Sequence, residues 1–275
     1  MIIGVDMGAS AVKLCALEGE RIGYCGTAVL YDEQPTTFQH GRGGDVPAML
    51  ERLGLDAAEA EAIALTGLAA KNSGLERLGR PLSYISEPEA IGEGACWLSG
   101  RDDIVVASIG TGTAFVRAKA GEYTHLCGTG VGGGTLKGLS VKLLGLEDMS
   151  RLNEMAMRGR NGKVDLLIGD FVEGYGILDQ EITASNLARM DPTASDEDWA
   201  AGISTLVLQV IGTMSLLACE GSGASAVVVI GAMAGSAPSR RNFAQFERVY
   251  GTQFLIPEHS ACATAIGAAR RARCV

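Results

Sequence analysis

The residues best suited to chemistry begin six positions into the chain. Asp6-Met7-Gly8-Ala9-Ser10 is followed by Lys13. An acid ending an apolar strand, a glycine turn and a hydroxyl residue together set backbone N–H groups around a phosphate. The acid can hold a magnesium ion through water, and Lys13 carries a positive charge able to reach phosphate oxygens. An ordinary β-hairpin with a glycine turn has the same local pattern. Ser108-Ile109-Gly110-Thr111-Gly112-Thr113 repeats it in the second part of the chain, with two glycines between hydroxyls. Its N–H and O–H donors suit another phosphate. Two such turns are harder to dismiss than one.

Gly128-Thr129-Gly130-Val131-Gly132-Gly133-Gly134 formally contains G-x-G-x-x-G. The dinucleotide fingerprint needs a strand-turn-helix context and an acid at the end of the next strand, and neither is legible here. A glycine loop opening a helix, whose free N–H groups meet a nucleotide, fits better. Ser86-Glu87-Pro88-Glu89 places Glu87 between a strand and a helix, where a carboxylate can take the proton of an attacking hydroxyl. Acids also simply favour helix N-termini, which is the competing reading of Glu87 and Glu89. His125 and His259 lack metal-ligand spacing. Neither H-E-x-x-H, G-x-S-x-G nor a G-K-[ST] loop occurs.

These residues need elements to hold them. Strands are expected over Ile2–Asp6, Ala11–Leu17 and 24–30, then a helix opened by Asp45 and closed by Gly54. Strands at Ala62–Thr66 and Leu82–Ile85 precede a helix over Pro88–Leu98. After the polar break Gly100-Arg101-Asp102-Asp103 the opening layout recurs, with strands at Ile104–Ile109, Thr113–Ala118 and Glu122–Leu126 and a helix ending at Gly145. Helices are expected over Leu146–Arg158 and 183–190. A long one starts at the capping box Ser195-Asp196-Glu197-Asp198 and runs to Gly221. A strand Ala226–Ile230, a helix Arg240–Tyr250, a strand Phe254–Ile256 and a helix His259–Arg271 complete the chain. The recurrence predicts an α/β fold of two similar domains, 1–102 and 103–275, with a ligand between them and the last helix able to pack back on the first domain.

The chain has 275 residues, 47% of them hydrophobic, which is ample for a core. Its net charge of -9 argues against nucleic acid or an anionic membrane as partner. No secretory signal and no apolar run of about 18 residues is visible, so a cytoplasmic protein is expected. Seven scattered cysteines without a C-x-x-C pair give no zinc or redox motif and read as small buried hydrophobes in a reducing compartment.

Taken together, Ile3-Gly4-Val5-Asp6 through Lys13, Glu87 in Ser-Glu-Pro-Glu-Ala, Ser108–Thr113, Gly128–Gly138, Ile182–Asn186 and Ile230-Gly231 resemble the type II pantothenate kinase family. That family lies in the acetate and sugar kinase/Hsp70/actin superfamily. The resemblance implies two actin-like, ribonuclease H-like domains around a nucleotide cleft, ATP and Mg2+ as cofactors, a homodimer, and phosphorylation of pantothenate in the first step of coenzyme A biosynthesis. It implies that Asp6, Met7, Gly8, Ala9, Ser10, Ala11, Val12 and Lys13 contact the ATP phosphates. Thr111, Gly133, Gly134, Thr135, Leu136 and Lys137 would complete the nucleotide site, with Met149 and Ala232 near adenine. Glu87 would be the general base, and Glu87, Ser108 and His125 would meet the substrate. Family members have Gly-Gly-Thr at Gly8-Ala9-Ser10, serines at Ala232-Met233, and a substrate-binding arginine at His125. An ATPase activator of a dehydratase, or a kinase of another hydroxy acid or a sugar, is the alternative.

Overall fold

The computed structural model describes residues 1–29, 46–52, 54–67, 75, 79–171, 180–189 and 191–273. Two mixed five-stranded sheets organise them. The first has the order β3-β2-β1-β4-β5, from β1 (Ile2–Met7), β2 (Ala11–Glu18), β3 (Arg21–Val29), β4 (Ala62–Thr66) and β5 (Leu82–Tyr84). The second has the order β12-β11-β6-β7-β8, from β6 (Asp103–Ile109), β7 (Thr113–Lys119), β8 (Glu122–Thr129), β11 (Val227–Ile230) and β12 (Phe254–Leu255). In each, a three-stranded antiparallel meander is extended on the far side of its first strand by two parallel strands. The two sheets therefore share one topology, and the recurrence in the sequence is a recurrence of structure. β9 (Leu166–Leu167) and β10 (Thr183–Ser185) form a small separate ribbon.

β1 is buried along its whole length because it lies mid-sheet with both faces covered. Ile3, Val5, Leu14 and Ile63 pack with Val46 and Leu50 of helix α1 (Val46–Arg52). On the opposite face, Ile2, Cys15 and Leu17 meet Ala265, Ile266 and Ala269 of the late helix α7 (Ala263–Ala272). Helix α2 (Glu87–Ser99) lies beside α7, and the two approach at backbone distance. A Cβ on Gly94 would overlap the Ala263 carbonyl, and one on Gly267 the Ala90 carbonyl. Gly4 of β1 meets the Ala265 carbonyl in the same way. The second sheet is covered by α3 (Gly133–Leu144), α4 (Met149–Arg158), α5 (Asp196–Ser222) and α6 (Ala237–Tyr250). α5 is long and apolar enough to cross a bilayer by composition, but Ile203, Val207, Leu208 and Ile211 fill the core between α3, α4 and the sheet.

Several expectations shift. Residues 183–185 form strand β10, not a helix. Buried Asp165 accepts bonds from Thr183 Oγ1, Asn161 Nδ2 and the Leu187 N–H, which pins the segment extended and puts Leu187 in the left-handed region. Residue 190 lies outside the described residues, as do 30 and 45. α4 starts at Met149 because the Asp148 carboxylate caps it, accepting from the N–H groups of Ser150 and Arg151. β8 runs on to Thr129, taking the first two residues of the glycine run into the sheet. His259 has φ 59, so the last helix is preceded by a 3-10 turn at Ser260–Cys262.

Replacing Gly94 or Gly267 with Ala inserts a methyl group into a backbone-to-backbone contact. Urea denaturation of either variant is expected to show a loss of at least about 3 kcal/mol, above the usual range for overpacking because carbonyls cannot rotate away as side chains do.

Candidate functional site

The two glycine turns end β1 and β6, the central strands of their sheets, and face each other across a cleft of about 530 Å3. Asp6 and Lys13 are register partners on neighbouring strands, so their side chains leave the same face. Lys13 Nζ donates to Asp6 Oδ2 at 2.9 Å, with side chains only 14% and 8% exposed. Gly8 follows because a Cβ there would sit 2.9 Å from the Ala11 carbonyl oxygen and 3.1 Å from Lys13 Nζ. Ser10 Oγ and Thr111 Oγ1 are 2.8 Å apart and join one turn to the other.

The second turn is held by the helix after it. The Gly133 N–H donates to the Gly110 carbonyl and the Gly134 N–H to the Thr111 carbonyl, both at 2.8 Å. The expectation that free N–H groups of α3 meet the ligand is corrected for these two residues, whose donors instead brace the loop. Thr135 Oγ1 closes the same loop by donating to the Gly130 carbonyl at 3.0 Å. A Cβ on Gly132 would fall 2.7 Å from the Gly112 carbonyl, which explains why this run tolerates no side chain there.

Ser86-Glu87-Pro88-Glu89 divides its two acids between two tasks. Glu89 is the capping carboxylate: Ser86 Oγ donates to it at 2.5 Å, and Arg271 Nη2 of α7 at 3.3 Å. The Ser86 bond, above all, holds its carboxyl below the usual range. Glu87 makes no hydrogen bond among the described residues and opens on the cleft with Asp6 and Lys13. Although its side chain reaches solvent, the protein crowding its carboxyl removes water and pushes its pKa up. The negative charge of Asp6 adds to this, while Lys13 and His125 oppose it.

Of the expected site residues, Asp6, Gly8, Ala9, Ser10, Ala11, Lys13, Glu87, Ser108, Thr111, Gly133, Gly134, Leu136, Lys137, Met149 and Ala232 line this one cleft. Met7 and Val12 do not; their side chains are wholly buried in the first sheet's core. Thr135 lies behind the loop, and His125 is exposed on β8 at the edge, near enough to Gly128 and Glu87 to be felt by both. Asn153, Ser236, Gly67 and Thr264 line the cleft unanticipated. Asn153 stands one helical turn from Met149, a spacing visible in sequence. Thr264 had no local signal, because it reaches the cleft only through the return of α7 to the first sheet.

The likenesses agree with this geometry. A protein-family model described as Fumble matches residues 104–267. The type II pantothenate kinase of Oceanobacillus iheyensis is 28% identical over 97% of each chain. That of Bacillus cereus is 31% identical over 47% of this chain and 49% of its own. Among solved structures, the activator of the 2-hydroxyisocaproyl-CoA dehydratase from Clostridium difficile with bound ADPNP superposes with TM-score 0.66 at 19% identity, covering 98% of this chain and 93% of its own. A glucokinase of the ROK family from Streptomyces griseus, in complex with glucose and AMPPNP, superposes with TM-score 0.61 at 15% identity, covering 100% and 99%. The fold is thus the two-domain actin-like ATPase fold.

The Asp6–Lys13 pair sets the charge of the cleft floor. Lys13→Met strands the Asp6 carboxylate and is expected to cost about 3 kcal/mol in chemical denaturation, whereas Lys13→Met combined with Asp6→Leu recovers most of that loss.

Proposed function

We propose, for a chain that belongs to the Fumble family of type II pantothenate kinases, that it transfers the terminal phosphoryl group of ATP to the primary hydroxyl of pantothenate. The observation that carries the proposal is the Glu87 carboxyl, without a hydrogen bond among the described residues and facing the same cleft as two opposed glycine turns. We divide the chain into lobes 1–102 and 103–275 that enclose the nucleotide, with α7 returning to the first.

In this reading the Met149–Asn153 face of α4 and Ala232-Met233 hold the adenosine end. The backbone of Gly8–Ser10 and Gly110–Gly112 lies along the phosphates, and Lys13 offsets their charge. Glu87 accepts the proton of the substrate hydroxyl as its oxygen bonds to phosphorus and the bond to the ADP oxygen breaks. Its raised pKa makes it a stronger base than an ordinary carboxylate. No group of three or more His, Cys, Asp or Glu that could hold a metal occurs among the described residues. The lone Asp6 carboxylate suits a hydrated ion brought with the nucleotide, not a protein-caged one. Magnesium held there through water would supply neutralisation of phosphate charge. His125 at the edge takes the place of an arginine toward the substrate carboxylate, a weaker contact than a bidentate guanidinium. A cytoplasmic homodimer completes the proposal by family analogy.

The activator reading needs cysteines free to hold an iron–sulfur cluster between subunits. Cys127 is half-buried and packs against the second core, which disfavours it.

Glu87→Gln is expected to lower turnover 10²–10⁴-fold, about the worth of a general base, with nucleotide affinity kept. In an ADP-release assay with pantothenate, unchanged turnover would remove Glu87 from the mechanism. Activity requires the ionised carboxylate, so kcat/KM is present above the Glu87 pKa and falls as pH drops through it. That pKa is raised, so the acid limb should lie above the ordinary carboxylate range and vanish in Glu87→Gln. His125→Arg should lower KM for pantothenate, and release of ADP by sugars but not pantothenate would reassign the acceptor.

A further inference from the structure

Three thiols meet where β2, β3 and the start of α7 come together. Cys15 and Cys25 are direct partners across the β2–β3 ladder. Cys262, distant from both in sequence, is buried against them in one cluster with Ile2, Leu17 and Ile266. Cys262 Sγ donates to the carbonyl oxygen of Gly26, the residue after Cys25, at 3.6 Å, and Cys25 packs against the same cluster. Cys25 is only half-buried, whereas Cys15 and Cys262 are enclosed.

The three are not equivalent. The neighbouring Cys262 thiol lowers the Cys25 pKa, whereas burial pushes the Cys15 thiol up to about 12. The Cys262 thiol is raised in turn, first by the neighbouring Cys25 and then by burial, so it keeps its proton. A half-buried thiol with a lowered pKa beside an enclosed thiol with a raised one has the order of an attacking and a resolving pair.

We propose that Cys25 and Cys262 form a peroxide-sensitive dithiol that closes reversibly to a disulfide. Cys25 gives its proton to water, its thiolate attacks the outer oxygen of a hydroperoxide, the O–O bond breaks, and the leaving alkoxide (hydroxide, for hydrogen peroxide) takes that proton back to depart as the alcohol (water). The resulting Cys25 sulfenic acid is attacked by Cys262 sulfur; the S–O bond breaks, and the Cys262 proton leaves with the hydroxyl as water. Two thiols are oxidised and one hydroperoxide is reduced. The place matters. The Ser260–Cys262 turn carries the chain back from β12 to the first sheet, the Gly231 N–H donates to the Ser260 carbonyl, and Thr264 two residues on lines the cleft. A disulfide staples this return to β3.

The test is treatment of the full chain with one equivalent of hydrogen peroxide, followed by alkylation and peptide mapping. The expected result is loss of two free thiols, a cross-linked peptide joining Cys25 to Cys262, and recovery of both thiols with dithiothreitol. In Cys262→Ser the sulfenic acid on Cys25 should persist and be trapped by dimedone. Amide exchange over residues 258–263 should slow about tenfold on oxidation, since local opening is what the staple suppresses. Retention of both thiols, over-oxidation of Cys25 without a cross-link, a bridge to Cys15 instead, or unchanged exchange in the cross-linked protein would overturn the proposal. The mapping is done on the unaltered chain, so it stands even where a variant does not fold.

Discussion

The crossing of α2 and α7 is the contact on which the cleft depends. Gly94 and Gly267 let the two helices touch backbone to backbone, and Gly4 lets α7 lie against β1 just as closely. Contacts of this kind leave no slack, because carbonyls and Cα atoms have no rotamers to adjust. α2 carries Glu87 at its first turn, β1 carries Asp6 at its end, and α7 brings Thr264 to the same wall. Around the crossing, Arg270 donates to Glu93 at 2.8 Å while its guanidinium lies 4.7 Å from the Trp97 ring centre. Tyr123 of β8 donates to the same Glu93 at 2.8 Å, tying the second sheet to α2. The acids of the cleft are therefore fixed relative to one another before any ligand arrives.

That rigidity permits an unfavourable arrangement of charge. Crowding by the protein, and after it the like charge of Asp6, push the Glu87 pKa up, and Lys13 is bonded to Asp6. A carboxyl without a hydrogen bond, facing a like charge, is a poor choice for stability and a useful one for accepting a proton. Glu89, two residues away, has the opposite fate: fully engaged by Ser86 and Arg271, it serves the fold. One short acidic motif thus separates into a carboxylate engaged by the fold and one left open on the cleft, according to which side of the helix start each occupies.

What could be read in the sequence follows from how local its cause is. Each glycine turn is formed by neighbouring residues, so both turns, their strands and the capping box at Ser195 were legible. Glu87 was legible as a candidate, but its distinction from Glu89 required Arg271 of α7. The glycines at 4, 94 and 267 carry no local signal, since their need arises from partners far along the chain. Residues 183–185 read as helix from composition, yet the buried Asp165 carboxylate, a tertiary acceptor, holds them extended. The N–H groups of Gly133 and Gly134 looked available to a ligand until the turn at Gly110 was seen to claim them.

The return of α7 also has a consequence for how the molecule comes into being. Ile2, Cys15, Leu17 and Ala64 lie on a face of the first sheet whose cover is Ala265, Ile266, Ala268 and Ala269. A ribosome delivers the last strand of the sheet at Tyr84 and its cover only from Ala263 onward. For the whole interval that apolar face must wait bare or shielded by a chaperone, while the second sheet's helices emerge and pack in order. The sheet synthesised first is thus completed only by the helix synthesised last.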